Sequence, residues 1–436
     1  MFIMTQMPVS PDPSEHKRAQ KAYEIQSLLR GGILSELLYF GVRTLSIIIR
    51  TLSIIIPKSD NQVLFASIPD YSDNAKALSE YIATNQVHQQ YDIVWLVKDS
   101  DVLQKLTQNG IQAYPEKSVR GLYSILRSKY IIGTHSHYCW FKAKNQCLVN
   151  LWHGMPLKAM GYTDGLEKGA ALKIVKLGAN TTDMLIATSA ITKTVMATSF
   201  FIDPRKVVVT GQPRNDYLFA TDEKRKLAML LDRDLSKYDK LLLYMPTFRV
   251  GHGRVEGATA HLDFLRTDLF NKFLIDNNIL FVLKLHPFEE KYWLSQDDFK
   301  QNNGNIVILK TDCLTNHLIS IHEVLADFDI LITDYSSIFF DFLLLNRPII
   351  FWSLDLEEYA QTRGFSLEPY DFWTPGPKAM TVEMLIDEIQ RCISDPTYYE
   401  KERITVNDLI NQFQDENSCE RVWKEILHMA EGPRKR

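Results

Sequence analysis

Residues 329–342 read DILITDYSSIFFDF, and the order of residue types in this stretch indicates what kind of sheet the chain builds. A short, continuous apolar run ends in Thr333 and Asp334, and an apolar helical pattern follows directly. Continuous apolar strands of this length are typical of parallel sheets that helices cover on both faces. The polar residues between strand and helix then lie beyond the carboxyl end of the strand, where open parallel sheets bind ligands.

Strand and helix patterns alternate in this way along the chain after residue 60. A first series of strands is predicted at Gln62–Ser67, Asp92–Val97, Lys129–Gly133, Leu148–Trp152, Met184–Ala187 and Lys206–Thr210. A second series is predicted at Lys240–Met245, Asn278–Leu285, Asn305–Leu309, Asp329–Thr333 and Pro348–Trp352. Two such series predict an α/β protein with two doubly wound domains, whose sheet edges face one cleft.

Length and composition agree with this organisation. The chain has 436 residues, of which 45% are hydrophobic and 23% charged, as expected for a folded protein of two domains. We expect an N-terminal extension at 1–60, a first domain at 61–215, a second at 216–400 and closing helices at 401–436 that return to the first domain. The net charge of -4 gives no indication of nucleic-acid binding. The five cysteines form no CxxC pair, so we expect reduced thiols.

The N-terminal extension contains an apolar stretch at 33–56, in which the heptad RTLSIII occurs twice in tandem. Glu36, Arg43 and Arg50 recur every seven residues, so a helix carries them on one stripe and its apolar side chains on the rest. Three such charges disfavour a membrane-spanning helix, because each costs about 3 kcal/mol at the bilayer centre. We expect an amphipathic helix in the membrane plane, helped by the basic residues at 433–436. A helix packed on the protein's own core, a coiled-coil helix and a buried strand pair are the alternatives.

Two histidines stand at predicted strand tips. His153 directly follows a strand, and the neighbouring Gly154 and Pro156 favour a tight turn that presents its ring. His286 ends another strand, and Pro287 restricts it to an extended backbone. Histidine is the side chain whose ordinary pKa suits proton transfer near neutral pH. We expect both rings at the cleft, although a lone histidine is more often structural.

Groups able to bind phosphate follow two strands of the second series. Thr247 and Arg249 follow one of them, and Ser336 and Ser337 stand where a helix begins. A helix N-terminus attracts phosphate through its free N–H groups, and a serine in that place also caps the helix. Asp341 lies further along that helix, where it would reach a ribose hydroxyl or face solvent.

Seven motifs in this order resemble the CDP-glycerol glycerophosphotransferase family of teichoic-acid synthesis, which includes primases, polymerases and related capsule enzymes. The motifs lie between about residues 62 and 377: WHG at 152–154 with PLK at 156–158, TGQPRND at 210–216, PTFR at 246–249, KLHP at 284–287, TDYSS at 333–337 with Asp341, RPIIF at 347–351 and RGF at 363–365. The family often has an acidic residue after the arginine of the PTFR-type motif. This chain has Val250 there, so the alcohol carried by CDP is left open.

The resemblance implies a GT-B-like fold of two Rossmann-type domains, attached peripherally to the cytoplasmic face of the bacterial membrane. It implies transfer of glycerol phosphate, or a similar polyol phosphate, from a CDP-alcohol to a hydroxyl of a lipid-linked glycan, with release of CMP. The family's two motif histidines fall on His153 and His286. Donor-binding residues are then expected at Thr247, Arg249, Lys284, Asp334, Ser336, Ser337 and Asp341, and acceptor or cleft residues at Gly154, Lys158, Arg214, Asn215 and Arg363.

For the mechanism we expect His153 to act as the base, because it comes from the domain opposite the nucleotide. The diphosphate would be held in line by His286, Arg249, Ser336 and Ser337. These groups require no cofactor, and the sequence leaves a bound Mg²⁺ open. His135 and His137 stand two residues apart after a strand, which alone does not make a metal site.

Two other classes of function are compatible with the same chain. A GT-B glycosyltransferase that uses a nucleotide sugar would share the two-domain cleft, and a membrane-associated binding protein would keep the fold without catalysis. The presence of both His153 and His286 argues against a binding protein. Incubation with CDP-glycerol and with UDP-sugars, followed by measurement of released CMP, separates the three.

Overall fold

The computed structural model describes residues 33–85, 90–165, 167–220, 225–247, 260–286, 289–290 and 304–431. Several residues that carry predictions lie outside this part of the chain: Arg249, the loop at 250–254, Pro287 and the basic tail at 433–436.

The N-terminal half builds one sheet. Its elements are α1 (Ile33–Ile55), β1 (Ser59–Ala66), α2 (Asp73–Thr84), β2 (Asp92–Val97), α3 (Ser100–Gln108), β3 (Ala113–Pro115), α4 (Val119–Arg127), β4 (Ser128–Gly133), β5 (Cys147–Asn150), α5 (Ala170–Thr181), β6 (Met184–Ala187), α6 (Ala190–Phe200) and β7 (Val207–Val209). Within the described residues, the seven strands run parallel in the order β3-β2-β1-β4-β5-β6-β7. This is the first sheet.

The C-terminal half builds a second sheet. Its elements are α7 (Arg225–Leu231), β8 (Lys240–Tyr244), α8 (Asp268–Asp276), β9 (Ile279–Leu283), β10 (Ile306–Ile308), α9 (Thr311–Asn316), β11 (Ile330–Thr333), α10 (Ile338–Phe342), β12 (Ile349–Phe351), α11 (Leu356–Thr362), α12 (Tyr370–Trp373), α13 (Val382–Ser394), α14 (Glu400–Ile410) and α15 (Ser418–Glu431). In the part of the chain that is described, its five strands run parallel in the order β10-β9-β8-β11-β12. The parallel pairing of both sheets confirms the predicted sheet type.

Both sheets are covered on both faces. In β1, Val63 belongs to one buried apolar cluster and its neighbour Leu64 to another. In β8, Leu242 and Leu243 likewise belong to different clusters on opposite faces. Successive side chains of a strand point to opposite faces, so burial on both sides explains why these runs are continuously apolar.

Helix α15 returns to the first sheet. Val422 and Trp423 belong to the same buried cluster as Val63 of β1. The Trp423 ring is 1% exposed, and its centroid lies 5.0 Å from that of Tyr91 and 5.8 Å from that of Tyr130. The last helix of the described chain therefore completes a core that the first sheet begins.

Helix α1 turns part of its predicted polar stripe towards the protein, whereas Arg43 of that stripe is exposed. Ser46 and Ser53 are 4% and 0% exposed. The Arg50 guanidinium donates to the carbonyl oxygens of Cys139 and Trp140, both at 3.0 Å. The repeated heptad places these residues on one side, because seven residues make nearly two turns of helix. This segment is a helix, as the sequence predicts, and not a strand pair.

Most of the large apolar side chains that the structure describes in α1 face away from the protein. Those that are exposed by more than half are Phe40, Leu45, Ile47, Ile48, Ile54 and Ile55. Among the described helices, none combines the length and the apolar character that crossing a bilayer requires. A contiguous exposed apolar face of this kind is typical of an interaction surface.

Candidate active site

The turn after β5 carries His153. Trp152 has a φ of 51° and Gly154 a φ of 148°, so the chain reverses through two left-handed positions. The Asn150 side-chain oxygen accepts the N–H of Trp152 at 2.9 Å, and the Asn74 amide donates to the Trp152 carbonyl at 3.0 Å. These bonds hold the turn rigidly at the end of the strand, where the sequence predicts His153. The strand itself ends two residues earlier than predicted, because the turn begins at the residue before Trp152.

The His153 ring has a defined tautomer. Its Nδ1 lies 3.3 Å from the carbonyl oxygen of Thr134, which can only accept a hydrogen bond. Nδ1 therefore carries the hydrogen, and the neutral ring has its lone pair on Nε2. Burial lowers the pKa of His153 below its ordinary value, although the Asp73 carboxylate opposes this shift, and the Arg214 charge lowers the pKa further. Near neutral pH the ring is thus an uncharged base.

Gly154 joins this turn to the second sheet. A Cβ atom built at position 154 would lie 2.5 Å from the Ser337 hydroxyl oxygen and 3.3 Å from the Arg214 guanidinium. Only glycine allows the backbone to approach so closely. The His153 turn and the start of α10 therefore meet, as the prediction of a single cleft requires. Helix α10 has five residues, and Ser337 at its N-cap makes no capping hydrogen bond through its side chain.

A second contact between the two sheets involves Lys158 and Thr247. The Lys158 ammonium donates to the Thr247 hydroxyl at 3.0 Å. The backbone N–H of Thr247 donates to Asp334 at 2.8 Å, and the same carboxylate oxygen accepts the N–H groups of Tyr335 and Ser336. Asp334 is fully buried. Asp334 thus holds the loops after β8 and β11 together, and its predicted contact with the donor stays a prediction.

The segment with Arg363 pairs with the segment that follows the His153 turn. Lys158 and Phe365 form an antiparallel bridge, and the Ala159 N–H donates to the Gly364 carbonyl at 3.1 Å. The Arg363 guanidinium reaches the Ala159 carbonyl at 3.4 Å. Two sequence motifs that lie about 200 residues apart are therefore joined through their backbones at the cleft.

Arg214 and Asp341 form a buried ion pair. Their Nη2 and Oδ2 atoms are 2.6 Å apart, and the side chains are 3% and 1% exposed. Arg214 also donates to Asp73 and to the His153 carbonyl, at 2.9 and 2.8 Å. Burial alone would raise the pKa of Asp341, but Arg214 and His322 outweigh it and hold that pKa below its ordinary value. Both residues thus connect the two sheets through buried contacts.

This network gives Arg214, Asp341 and Asn215 buried contacts that the sequence does not predict. Gln212 occupies the other carboxylate oxygen of Asp341 at 2.6 Å, so that carboxylate is buried and paired instead of facing a ribose. Asn215 is 3% exposed and lowers the pKa of Asp341 through a hydrogen bond. The Asp341 carboxylate and the Arg214 guanidinium therefore bond mainly to each other and to neighbouring protein groups.

Lys284 is also placed differently from its prediction. Its ammonium donates to the Leu285 carbonyl and to the Thr311 hydroxyl, both at 2.8 Å, and lies 3.6 Å from the Glu290 carboxylate. Lys284 is 9% exposed, so its ammonium group is buried and stabilises the end of β9. His286 is partly exposed beside it. Burial and the Lys284 charge lower the pKa of His286 to about 4.

The structure brings the predicted residues into two groups. His153, Gly154, Lys158, Thr247, Ser337 and Arg363 lie along the line where the two sheets meet. His286 lies at the end of β9, the strand next to β8, whose end leads to Thr247. Sequence reasoning missed Asp73, although it follows a predicted strand of the first series and the strand-end rule applies to it. It also missed His322, for which no local pattern gives a signal. Among the described residues, no group of three or more potential ligands is arranged to hold a metal ion.

Known proteins are similar to this chain in sequence and in fold. The sequence model of the family described as CDP-Glycerol:Poly(glycerophosphate) glycerophosphotransferase matches residues 48–428. A teichoic acid poly(glycerol phosphate) polymerase of Bacillus spizizenii is 27% identical over 411 residues, which cover 88% of this chain and 96% of the relative. A teichoic acid ribitol-phosphate polymerase, TarL of Staphylococcus aureus, is 26% identical over 389 residues, which cover 85% of this chain and 63% of the relative.

A solved structure of the wall teichoic acid polymerase TagF has the same fold. It matches with a TM-score of 0.72 and 19% identity, over 97% of this chain and 99% of that chain. At this identity the likeness concerns the fold alone. The family model, in contrast, covers most of the sequence, including every motif of the cleft. The chain therefore belongs to the CDP-glycerol:poly(glycerophosphate) glycerophosphotransferase family.

Proposed function

We propose that this protein transfers glycerol phosphate, or a similar polyol phosphate, from a CDP-alcohol to a hydroxyl of a membrane-bound, lipid-linked glycan and releases CMP. The observation that carries the proposal is the contact of Gly154 with Ser337. This contact sets a neutral histidine from the first sheet beside a hydroxyl-rich loop of the second sheet. A base and a phosphate site on opposite walls are what such a transfer needs.

The proposed reaction uses the lone pair of His153 Nε2. As the acceptor oxygen bonds to the β-phosphorus of the donor, its proton passes to Nε2, and the bond between that phosphorus and the CMP oxygen breaks. CMP leaves as an anion, and His153 later returns its proton to solvent. The Thr134 carbonyl holds the Nδ1 hydrogen throughout, so the same nitrogen faces the acceptor in each turnover.

Hydroxyl groups and His286 form the proposed diphosphate site. Ser336 and Ser337 are partly exposed at the end of β11, and Thr247 follows the neighbouring β8. Lys158 brings a positive charge to Thr247 from the opposite wall, where it would balance the charge of the departing CMP. We propose Arg249 as a further ligand, on the sequence motif alone. The proposed chemistry calls for no cofactor, and turnover with EDTA or with added Mg²⁺ measures whether a metal contributes.

We further propose that the two sheets form the two domains of a GT-B-like enzyme. The boundaries predicted at residues 61–215 and 216–400 separate the strands of the first sheet from those of the second. The first would bind the acceptor and the second the CDP-linked donor. The contacts at Gly154, Lys158 and Arg214 would hold the two domains in a fixed relative position while the substrates react.

The proposed function is tested by incubating the full chain with membranes that hold a lipid-linked acceptor and with one of three donors. We expect CMP release with CDP-glycerol or CDP-ribitol and no nucleotide release with UDP-sugars. Mass spectrometry of the product would then show one or more added polyol phosphates. Release of UDP from a nucleotide sugar would point to a glycosyltransferase instead, and donor binding without turnover would point to a binding protein.

We propose that the exposed apolar face of α1 lies on the cytoplasmic surface of the bacterial cell membrane. Ser46, Arg50 and Ser53 of α1 face the protein and are buried or bonded there, so the exposed apolar side chains are the part of the helix that is available to a partner. An acyl-chain interface buries such side chains without a matching protein groove. The exposed Val119 and Tyr123 of α4 extend the apolar area, since Lys58 links the end of α4 to the end of α1.

Substituting glutamate for both Ile47 and Ile54 tests the membrane surface. These side chains are 58% and 74% exposed, so the fold tolerates the change. Losing two buried isoleucines removes about 3 kcal/mol of membrane-binding free energy, or about a hundredfold in partitioning. Co-sedimentation with phosphatidylglycerol vesicles measures this. The matched control is Ile404→Glu in α14, which is 47% exposed and should leave vesicle binding unchanged. Equal loss in both variants, or in neither, would contradict the proposal.

A further inference from the structure

The ring of His135 lies directly against that of His153. The two centroids are 4.3 Å apart, and the planes differ by 19°, so the rings are stacked. Trp152 contacts the His153 ring as well, at 4.1 Å and 35°. His135 stands two residues after the end of β4, and the strand next to it, β5, leads to His153. The two rings are thus brought together by neighbouring strand ends.

Thr134 holds both histidines in place. Its carbonyl oxygen meets His153 Nδ1, and its hydroxyl oxygen lies 3.1 Å from His135 Nδ1. The hydroxyl also accepts the Ile68 N–H at 3.3 Å, and the Thr134 N–H donates to Ala66 at 3.3 Å. Thr134 is fully buried. One rigid residue therefore fixes the separation and the orientation of both rings.

Several charged or titratable groups surround the His153 ring. Asp73 lies at the start of α2 and Arg214 in the segment after β7, and these act in opposite directions on the pKa of His153. His137 and Lys98 lie on the side of His135. Burial, followed by His153, His137 and Lys98, lowers the pKa of His135 to about 2. His135 consequently stays uncharged near neutral pH.

We propose that His135 is a positioning residue for His153: its flat, uncharged ring sets the plane of the His153 ring and shields one face of it from water. The inference rests on the proposed role of His153 as the base. In this role His135 transfers no proton itself. A positively charged group in its place would repel the protonated His153. A smaller group would admit water to the ring. Either change would alter how readily His153 Nε2 takes the proton of the acceptor hydroxyl.

Comparing His135→Ala with His135→Phe tests this role. Phenylalanine keeps a flat, uncharged ring, whereas alanine removes the stack and admits water. We expect H135A to lower kcat for CMP release by about tenfold to a hundredfold, because the base loses its orientation. H135F should keep most of the wild-type kcat. Circular dichroism and thermal melting of both variants establish that they fold.

A second readout needs no substrate. In protein with ¹⁵N-labelled histidine, the NMR titration of His153 is assigned through the H153N variant. We expect the pKa of His153 to lie below its ordinary value in the wild type and in H135F. In H135A it should rise towards about 6.5, since water then solvates the charged ring.

The inference is overturned if His153 titrates identically in H135A and the wild type, or if H135F loses as much activity as H135A. The first result would make the stack irrelevant to the base, and the second would show that a nitrogen of His135 is needed. A wild-type chain without turnover on CDP-alcohols would instead contradict the proposed function. The titration still decides the role of His135 in that case.

Discussion

Replacing His153 with asparagine is expected to slow CMP release by about a hundredfold to ten-thousandfold, the range typical of a lost general base. The asparagine amide can still donate to the Thr134 carbonyl, so the turn keeps its hydrogen bond while the lone pair of Nε2 disappears. Single-turnover release of CMP with saturating CDP-glycerol measures the effect on the chemical step. The thermal unfolding temperature of the variant should match that of the wild type.

The matched control is His428→Asn in α15, which changes an exposed histidine far from the cleft. It should leave turnover unchanged. The pH profile adds a second check, because the lowered pKa of His153 keeps it unprotonated at neutral pH. Activity should therefore fall only on the acid side of the ordinary histidine pKa. An H153N variant with near wild-type turnover would remove His153 as the base.

Replacing Arg214 with methionine is expected to lower the free energy of unfolding by about 3–5 kcal/mol, the usual cost of breaking a buried ion pair. The change leaves Asp341 and Asp73 without their shared cation in a nearly water-free site. It also removes the donor to the His153 carbonyl, so turnover should fall together with stability. Urea denaturation followed by tryptophan fluorescence measures the first effect, and CMP release measures the second.

Arg205→Met is the matched control, because Arg205 pairs with Asp203 at the surface. No measurable change in stability is expected from it. The contribution of Asp341 to the free energy of unfolding should depend on pH with a definite sign. The folded pKa of Asp341 is lowered, so its contribution is full above the pKa of unfolded aspartate, about 3.9, and is lost as pH falls from there through the folded pKa. The destabilisation by R214M should shrink over that acid range. Equal stability of R214M and R205M at neutral pH would contradict the network.

Much of the fold was predictable, because eleven of the twelve described strands overlap the apolar runs that the sequence predicts as strands. The prediction missed β3, which has three residues and pairs only with β2 at the edge of the sheet. Ala113, Tyr114 and Pro115 are too few to form a recognisable apolar run, and a proline is tolerated at an edge because it needs no donor there. A short edge strand takes its stability from its neighbour, so its own sequence carries little signal.

The candidate site was predictable in part. Gly154 and Pro156 mark the turn that presents His153, and this signal is local. The partner of Arg214 is not, since Asp341 lies 127 residues away and nothing in either segment identifies the other. From the sequence, Asp341 is predicted only as a helix residue near a phosphate site. The fold brings it against the buried guanidinium of Arg214. His135 was considered only as a metal ligand, whereas its contact is with another ring.

The position of Trp423 has a consequence for how the protein is made. Its ring fills the core of a sheet whose strands are complete by residue 209, yet it is synthesised more than two hundred residues later. The growing chain leaves the ribosome with that core open, and the core closes only after α15 has emerged. A premature stop codon or a protease cut before α15 therefore exposes the apolar interior of the opposite end of the chain.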